Sequence, residues 1–366
     1  MKSTHKNVEN DDFPLPDRYI STGTRATGGF SSTLRCIDKN LDRDVIVKTM
    51  QGKSEEHRII TEVSALSCLR SKHVVEIYDV LVDENSHRVA IVEDFVDGPD
   101  LHQICETRDV AKNEALKLLY QLAAGLADIH GCEVIHRDIK PDNVKLTSEN
   151  LLKIFDFGLA RTVPGTYNTI GYKGTPGFSA PELYSSGRVD FTPAIDVYAL
   201  GCMAWFLAQR PLPAFLTQRS IGLVERIPSI NDLDFYPNSL ASLIDRCIEI
   251  DAEVRPSSKE VRDELAALLL WGAHRALVRS PHEQRWMDAE NHTVTWPIKD
   301  SVAFEIKYDG RYFKIVKVNG HVYINNEDAT VDTTLPESCV ITVGEPQLKW
   351  DRVFVTFDLS HPEVVL

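Results

Sequence analysis

The 366-residue sequence lacks the marks of a secreted or membrane-spanning protein. Its seven cysteines are scattered singly with no CxxC pair, so neither a zinc site nor a disulfide framework is indicated. The first twelve residues, MKSTHKNVENDD, have no apolar run behind the early lysines and do not resemble a secretory signal. The longest apolar stretch, at 198–208, is 11 residues, whereas a bilayer span needs about 20. It predicts a buried helix, and we expect a cytoplasmic protein in a reducing compartment.

The sequence also lacks an excess of basic residues. Lys and Arg total 40 against 54 Asp and Glu, which gives a formal net charge of −14. This charge argues against a nucleic-acid or anionic-membrane partner. Hydrophobic residues make up 43% and charged residues 26%, as in ordinary globular proteins. The length predicts two domains, or three if some are small.

Periodicity along the chain predicts an α+β protein. Short β-branched runs between residues 19 and 95 indicate a small sheet, and residues 55–70 carry apolar side chains at the spacing of one helix face. From about 101 to 277 the period is mostly helical. After 280 the apolar residues alternate around Asp309-Gly310 and Asn319-Gly320, which are two-residue hairpin signals.

These changes of pattern predict five segments. We expect a flexible tail at 1–17, a β-rich lobe at 18–96, a mainly helical lobe at 97–280, a connector at 281–297 and an antiparallel β module at 298–366. Residues 281–366 hold 8 Lys and Arg against 14 Asp and Glu, so we do not expect the module to bind nucleic acid. Substrate recruitment, phosphothreonine recognition, regulation of the large lobe and passive capping remain open as its role.

Two motifs carry the strongest chemical information. The run HRDIKPDN at 136–143 is followed, 18 residues after Asp138, by DFG at 156–158. Their order and spacing resemble the eukaryotic-type serine/threonine protein kinase family over residues 18 to 278. The resemblance implies a bilobal fold with a small β-sheet lobe that holds one helix and a larger, mainly α lobe. It also implies ATP and Mg²⁺ as cofactors and proteins as substrates.

The resemblance assigns roles within these motifs. Asp138 matches the catalytic-loop Asp that orients the accepting hydroxyl and takes its proton, and Lys140 matches the lysine that reaches the transferred phosphate. Asn143 and Asp156 match the pair that holds Mg²⁺. These assignments suit the chemistry, because a triphosphate needs cations and a hard metal ion needs oxygen ligands.

The nucleotide site requires further residues upstream. Lys48 ends the strand VIVK and matches the lysine that grips the α- and β-phosphates, and Glu62, 14 residues later, matches its partner on the helix. The glycine-rich loop is degraded, since only the middle glycine of the family's three survives. Its residues in family register are Ala26, Gly28, Gly29 and Phe30.

The expected adenine pocket departs from the family at two positions. Ile46 stands where an Ala is usual, and Glu93 occupies the apolar or Thr gatekeeper position. A buried carboxylate must find a partner or shift its pKa, so either this register is off by one or Glu93 is paired. Asp94 and Val96 would supply the hinge backbone groups for adenine.

Residues 159–182 resemble a complete activation segment ending in Ala-Pro-Glu. The resemblance pairs Glu182 with Arg255, makes Asp196 an anchor of the catalytic loop, and places Thr175 against Asp138. Arg137 matches an arginine that commonly receives a phosphate from this segment. The candidate phosphorylation sites are Thr162, Thr166, Tyr167 and Thr169.

The residues favour an active serine/threonine kinase over two alternatives. The degraded glycine loop, Ile46 and Glu93 would suit a pseudokinase or scaffold that binds nucleotide and partners without efficient turnover. A small-molecule kinase of the aminoglycoside phosphotransferase type would share the lobes and much of the metal site, but such enzymes normally lack the activation segment and the lysine of KPDN. The oligomeric state does not follow from the sequence.

Overall fold

The computed structural model describes most of the chain. The described residues are 13–27, 31–50, 69–83, 88–157, 161–162, 166–168, 175–184, 188–217, 228–298 and 301–365. The chain divides into two compact units, Met1–Leu265 and Ala266–Leu366. The first contains a sheet and a helical part, and the second is almost entirely β, so the α+β class is confirmed.

The first unit begins with a five-stranded antiparallel sheet. Its order is β1-β2-β3-β5-β4, and its strands are β1 Tyr19–Thr27, β2 Ser31–Asp38, β3 Arg43–Met50, β4 Ile77–Asp83 and β5 Arg88–Asp94. The helix predicted within 55–70 falls almost wholly outside the described residues.

Alternation along β3 determines what each face of this sheet carries. Val45 and Val47 are fully buried in an apolar cluster with Val92 of β5. Lys48 points to the opposite face, because successive side chains of a strand alternate. Phe13 packs against the apolar cluster, as does Leu15. The expected tail is therefore wrong for residues 13–17, whose apolar side chains anchor them to the sheet.

The helical part of the first unit contains six described helices. They are α1 Leu101–Thr107, α2 Lys112–Gly131, α3 Ala194–Ala208, α4 Ala214–Thr217, α5 Asn238–Cys247 and α6 Ser258–Leu269. Helix α3 is the predicted buried helix, with 13 of its 15 residues buried. Its Gly201 allows close packing, since a Cβ there would lie 2.6 Å from Ile248 Cγ2 and 2.8 Å from Cys247 Cβ.

Short strand pairs frame the segments that carry the motifs. The pairs are β6 Val134–Ile135 with β9 Arg161–Thr162, β7 Val144–Leu146 with β8 Leu152–Ile154, and β10 Thr166–Asn168 with β11 Arg188–Asp190. The HRD run follows β6 directly, and DFG begins two residues after β8. Both motifs therefore leave strands whose backbone positions are fixed by pairing.

The second unit forms two antiparallel sheets around one core. A six-stranded sheet has the order β13-β12-β20-β19-β17-β18, and a three-stranded sheet has the order β14-β15-β16. The strands are β12 Ala276–Arg279, β13 Gln284–Met287, β14 Thr293–Ile298, β15 Ser301–Tyr308, β16 Phe313–Val318, β17 Val322–Ile324, β18 Glu327–Asp328, β19 Ser338–Val343 and β20 Val353–Leu359. Phe304, Ile315 and Phe357 are fully buried between them.

The boundaries of this unit differ from the sequence expectation. Strand β12 precedes residue 280 but pairs with β20 and β13, and the expected connector at 281–297 contains β13 and most of β14. The helical pattern at 257–277 therefore ends at Leu269, because Ala276 and Val278 are buried by strand pairing.

Only one of the two turn dipeptides joins paired strands. Asp309-Gly310 connects β15 to β16 through a four-residue loop, with Gly310 at φ +99°. Asn319-Gly320 leads from β16 to β17, which lie in different sheets, so the hairpin predicted there is wrong. Gly320, at φ +76°, lies where the chain passes from one sheet to the other.

Among the described residues, no helix combines the length and apolar character that crossing a membrane requires.

Candidate active site

A buried aspartate fixes the backbone of the HRD run. The carboxylate of Asp196, at the start of α3, accepts hydrogen bonds from the backbone N–H groups of His136 and Arg137, each at 2.8 Å. Arg137 has φ +71°, an unfavourable backbone conformation that these bonds stabilise. The strand before the run and the helix beneath it thus determine where Asp138 lies, and Asp196 takes the expected anchoring position.

His130 in turn holds the carboxylate of Asp196 in place. His130 Nε2 lies 3.0 Å from Asp196 Oδ2, and His130 Nδ1 lies 2.9 Å from Ser258 Oγ. Burial by itself raises the pKa of Asp196. The pKa is nevertheless below its ordinary value, and the hydrogen bond and charge of His130 are the largest of the interactions that lower it. Neither His130 nor Ser258 belongs to a motif with chemical meaning, so sequence reasoning missed both.

Three side chains converge on Asp138. Lys140 Nζ lies 2.7 Å from Asp138 Oδ2, and Asn143 Nδ2 donates to the same oxygen at 2.9 Å and to the Asp138 carbonyl at 2.8 Å. Thr175 Oγ1 reaches Asp138 Oδ1 at 3.4 Å, which is the contact the sequence predicts. The carboxylate is therefore held from both sides, which restricts its orientation.

Asp156 and Lys48 meet although they lie 108 residues apart. Lys48 Nζ donates to Asp156 Oδ1 at 2.9 Å, and the lysine side chain is only 3% exposed. Burial by itself raises the pKa of Asp156, but the charge and hydrogen bond of Lys48 outweigh it and hold the pKa below its ordinary value. Asp156 is thus an anion at neutral pH, as a metal ligand must be.

His136 connects the two motifs. Its Nε2 lies 3.1 Å from the carbonyl oxygen of Phe155, and its ring packs edge-on against Phe157 at 4.5 Å between centroids. His136 is fully buried. Asp156, between the two phenylalanines, has φ +66°, an unusual conformation for a residue with a side chain. The buried histidine thus contacts both neighbours of the aspartate.

The nucleotide side of the site is described only in part. Gly28, Gly29, Phe30 and Glu62 lie outside the described residues. Ala26 is exposed on β1, where its carbonyl accepts from Thr33 Oγ1 at 3.3 Å. The positions assigned to the glycine loop and to the partner of Lys48 therefore remain predictions.

Strand pairing places the two unusual pocket residues side by side. Ile46 of β3 lies directly opposite Glu93 of β5, and Lys48 lies directly opposite Ile91. Residues opposite each other share a face, so Ile46, Glu93 and Lys48 belong to the same side of the sheet. Glu93 is buried, at 7% exposure. The roles of Ile46 and Glu93 in an adenine pocket remain predictions.

Asp94, which the sequence predicts as a hinge residue, is constrained by its neighbours. Its backbone N–H donates to the carbonyl of Glu76 at 3.0 Å. Its carboxylate lies 3.8 Å from Lys153 Nζ. The pKa of Tyr78 is raised to about 12, mainly because the hydroxyl is partly buried and also because the charge of Asp94 lies nearby. Val96 is buried, at 7% exposure.

An ion pair fixes the end of the activation segment. Arg255 contacts Glu182 through two hydrogen bonds of 2.8 and 2.9 Å, and the arginine side chain is fully buried. It also donates to the carbonyls of Glu249, Ala194 and Ile250. This is the pairing that the sequence predicts. Among the candidate phosphorylation sites, the backbones of Thr162, Thr166 and Tyr167 lie in β9 and β10, and Thr169 lies outside the described residues.

Comparison with known proteins agrees with this geometry. The family model of the protein kinase domain matches residues 24–265. The chain is 34% identical to mitogen-activated protein kinase 9 of Arabidopsis thaliana over 208 residues, which cover 53% of this chain and 41% of that protein. It is 32% identical to mitogen-activated protein kinase 5 of the same plant over 221 residues, which cover 56% and 57%.

A more distant match extends slightly further along the chain. The probable serine/threonine-protein kinase nek2 of Dictyostelium discoideum is 27% identical over 265 residues, or 67% of this chain and 62% of that protein. All three alignments span less than two thirds of the relative's length. The family match ends at residue 265, where the first unit ends, and it leaves the β module unassigned. The match covers more than half of the chain, and the chain therefore belongs to the protein kinase family.

Proposed function

We propose that the chain is an active serine/threonine protein kinase, which transfers the γ-phosphate of ATP to serine and threonine hydroxyls of proteins and uses Mg²⁺. One observation carries this proposal: Lys140, Asn143 and Thr175 all contact the carboxylate of Asp138. A carboxylate held in this way is suited to orient a substrate hydroxyl and to accept its proton.

The donor set fits the magnesium ion. Asn143 uses its amide N–H groups on Asp138, which leaves the amide oxygen to face a metal. The Asp156 carboxylate is 43% exposed and carries a lowered pKa. Oxygen ligands of this kind suit Mg²⁺, which usually completes its coordination with phosphate and water. Asn143 and Asp156 would hold the ion, which when bound neutralises phosphate charge.

The remaining polar groups have distinct tasks in this proposal. Lys48 Nζ binds the nucleotide phosphates and is positioned for this by Asp156. Asp138 takes the proton of the accepting hydroxyl, and Lys140 stabilises the phosphoryl oxygens as they move. Asp94 and Val96 hold adenine through their backbone groups. Because six described cysteines are free thiols, we also place the protein in a reducing compartment such as the cytoplasm.

We propose in addition that phosphorylation of the activation segment raises activity through Arg137. Strand β9, which holds Thr162, pairs with β6, and β6 leads directly into the HRD run. A phosphate on this segment would add negative charge near the arginine and stabilise the segment. Mass spectrometry tests this: if fully active protein carries no phosphate between Thr162 and Thr175, the regulatory proposal is wrong.

The transferase proposal is tested by incubating the full chain with Mg²⁺, γ-labelled ATP and a mixed protein substrate. Phosphoamino acid analysis should find label on serine and threonine. Label on tyrosine alone would contradict the residue specificity. If no label is transferred to protein, including the kinase chain itself, the proposed activity is wrong.

A further inference from the structure

The three-stranded sheet β14-β15-β16 has one face against the core of the second unit and one face turned away from it. On β15, Ile306 is fully buried in the core, and the next residue, Lys307, is exposed. On β16, Ile315 is fully buried, and the side chain of the preceding Lys314 is 38% exposed. Successive side chains of a strand alternate between faces, so both lysines lie on the outer face.

A bulge brings a third lysine to the same face. Lys307 lies directly opposite Lys314, and Glu305 lies directly opposite Lys317. Between these two pairs β16 holds one residue more than β15, because Val316 is inserted in its strand. The insertion turns Lys317 to the outer face, although an odd number of residues separates it from Lys314.

The loop between β15 and β16 extends this surface. Arg311 Cζ lies 5.2 Å and Lys314 Nζ lies 5.8 Å from the centre of the Tyr312 ring, which is 43% exposed. Asp309 Oδ2 lies 3.5 Å from Lys314 Nζ. We define the basic sheet face by five residues: Lys307, Arg311, Tyr312, Lys314 and Lys317.

The basic sheet face differs in charge from the rest of the module. Residues 301–318, which form β15, β16 and the loop between them, hold four of the eight Lys and Arg in 281–366 but only two of the 14 Asp and Glu. Lys307 and Lys314 lie directly opposite each other, and like charges in that position destabilise a sheet. Stability therefore does not account for this pair, whereas binding of anionic groups would.

The basic groups also have the spacing of an extended polypeptide. The pair that contains Lys317 and the pair of Lys307 with Lys314 lie two residues apart along β15, which is about 6.6–6.8 Å. Alternate side chains of an extended segment point to the same side and have the same spacing. Acidic side chains at alternate positions of one segment would therefore reach both pairs at once.

We propose that the basic sheet face binds an extended acidic segment of a protein partner, with Asp or Glu at alternate positions. Tyr312 offers the same segment an apolar contact beside the lysines. A long polyanion such as a nucleic acid, or an anionic membrane, is less suited to this face, because the net charge of −14 repels it. The inference concerns the second unit and does not depend on transferase activity.

The test is fluorescence polarisation with the full chain and three labelled peptides of equal length. In the first peptide Glu alternates with Gln, in the second the same Glu residues form one block, and in the third Lys alternates with Gln. The alternating Glu peptide should bind about threefold more tightly than the block peptide and lose affinity as salt is added. The Lys peptide should not bind. Equal affinity for the first two peptides would overturn the proposal.

Single substitutions identify the surface that binds. Lys307→Gln and Lys317→Gln should each weaken binding of the alternating Glu peptide about threefold to fivefold, because each removes one exposed charge pair. Lys349→Gln removes the same charge from an exposed loop of the same unit and is the matched control, which should retain the wild-type affinity. Thermal melts separate binding from folding, since Lys307→Gln relieves the repulsion of Lys314 and should not lower the melting temperature.

Two further outcomes would overturn the inference. The first is unchanged affinity for the alternating Glu peptide in both folded lysine variants. The second is tighter binding of a single-stranded oligonucleotide or of phosphatidylserine vesicles than of this peptide. Peptide binding without any phosphate transfer would support the inference and count against the proposed function alone.

Discussion

Lys48 Nζ and Asp156 Oδ1 lie 2.9 Å apart and join the N-terminal sheet to the DFG motif across 108 residues of sequence. The lysine is almost completely buried, and its charge outweighs the partial burial of the aspartate and keeps it ionised. In the proposed function, one binds phosphate oxygens and the other binds the metal ion.

Replacing this lysine is expected to impair both nucleotide binding and transfer. Lys48→Ala should lower kcat/KM for ATP by about two orders of magnitude, which corresponds to about 3 kcal/mol of lost electrostatic stabilisation. The pKa of Asp156 should rise, so Mg²⁺-dependent nucleotide binding should weaken at a higher pH than in the wild type. Steady-state kinetics and nucleotide titrations from pH 5 to 8 measure both effects. The exposed Lys39→Ala is the control, and equal losses in the two variants would contradict the assignment.

The ion pair between Glu182 and Arg255 should contribute strongly to stability. Glu182→Gln leaves a fully buried guanidinium without its carboxylate, and breaking such a pair costs about 3–5 kcal/mol. Asp263→Asn removes an exposed pair with Arg262 and should change the free energy of unfolding by less than about 1 kcal/mol. Denaturant titrations of both variants decide the matter. A loss below 1 kcal/mol in Glu182→Gln would show that the pair is not a stabilising contact.

His73 should make the stability of the first unit sensitive to pH. Burial lowers the pKa of His73 to about 4, against about 6.5 in the unfolded chain. Between pH 4 and 6.5 the unfolded chain binds more protons at His73 than the folded chain does. The free energy of unfolding therefore falls as the pH drops from 6.5 to 4. From pH 7 to 5 this one group should account for about 2 kcal/mol of the loss.

The variant His73→Gln is uncharged throughout this range and isolates the effect. Its stability at pH 7 is expected to be lower, but its loss between pH 7 and 5 should be smaller than that of the wild type. Urea titrations at the two pH values measure this difference. His102→Gln, at an exposed position, should keep the wild-type pH dependence. Identical pH dependence in wild type and His73→Gln would contradict the interpretation.

The second unit should fold without the first. A fragment of residues 266–366 contains a complete apolar core and should unfold in one cooperative transition. Residues 1–269 should fold as well. A chain cut at 280 should aggregate more than one cut at 269, because it keeps β12, with buried Ala276 and Val278, but not its partner β20. Thermal melts and light scattering compare the fragments 266–366, 1–269 and 1–280. Equal aggregation of the fragments that end at 269 and at 280 would contradict the assignment of β12 to the second unit.

Linear motifs made much of the site predictable. Asp138, Lys140 and Asn143 are close in sequence, and the spacing to Asp156 is typical of one family, so their convergence follows from the sequence pattern. The pairing of Glu182 with Arg255 also follows, although 73 residues separate them. In contrast, His130 lies in the last turn of an ordinary amphipathic helix, and only tertiary packing brings it to Asp196.

The module boundary shows a second limit of sequence reasoning. Ala276 pairs with Leu359, 83 residues later, and nothing in the local sequence distinguishes this strand from a continued helix. The dipeptide Asn319-Gly320 likewise predicts a sharp turn correctly but does not reveal which strands the turn connects. Local patterns therefore identified turns and elements, whereas partners far apart in the sequence were fixed only by long-range packing.

The most direct test concerns Asp138 and separates chemistry from binding. Asp138→Asn retains the shape of the side chain but removes the proton acceptor, so kcat for peptide phosphorylation should fall at least about a hundredfold. Affinity for ADP with Mg²⁺, measured by calorimetry, should stay within about twofold of the wild type. Asp128→Asn, an exposed change on α2, serves as the matched control. Turnover of Asp138→Asn close to that of the wild type would contradict the assignment of Asp138 as the catalytic base.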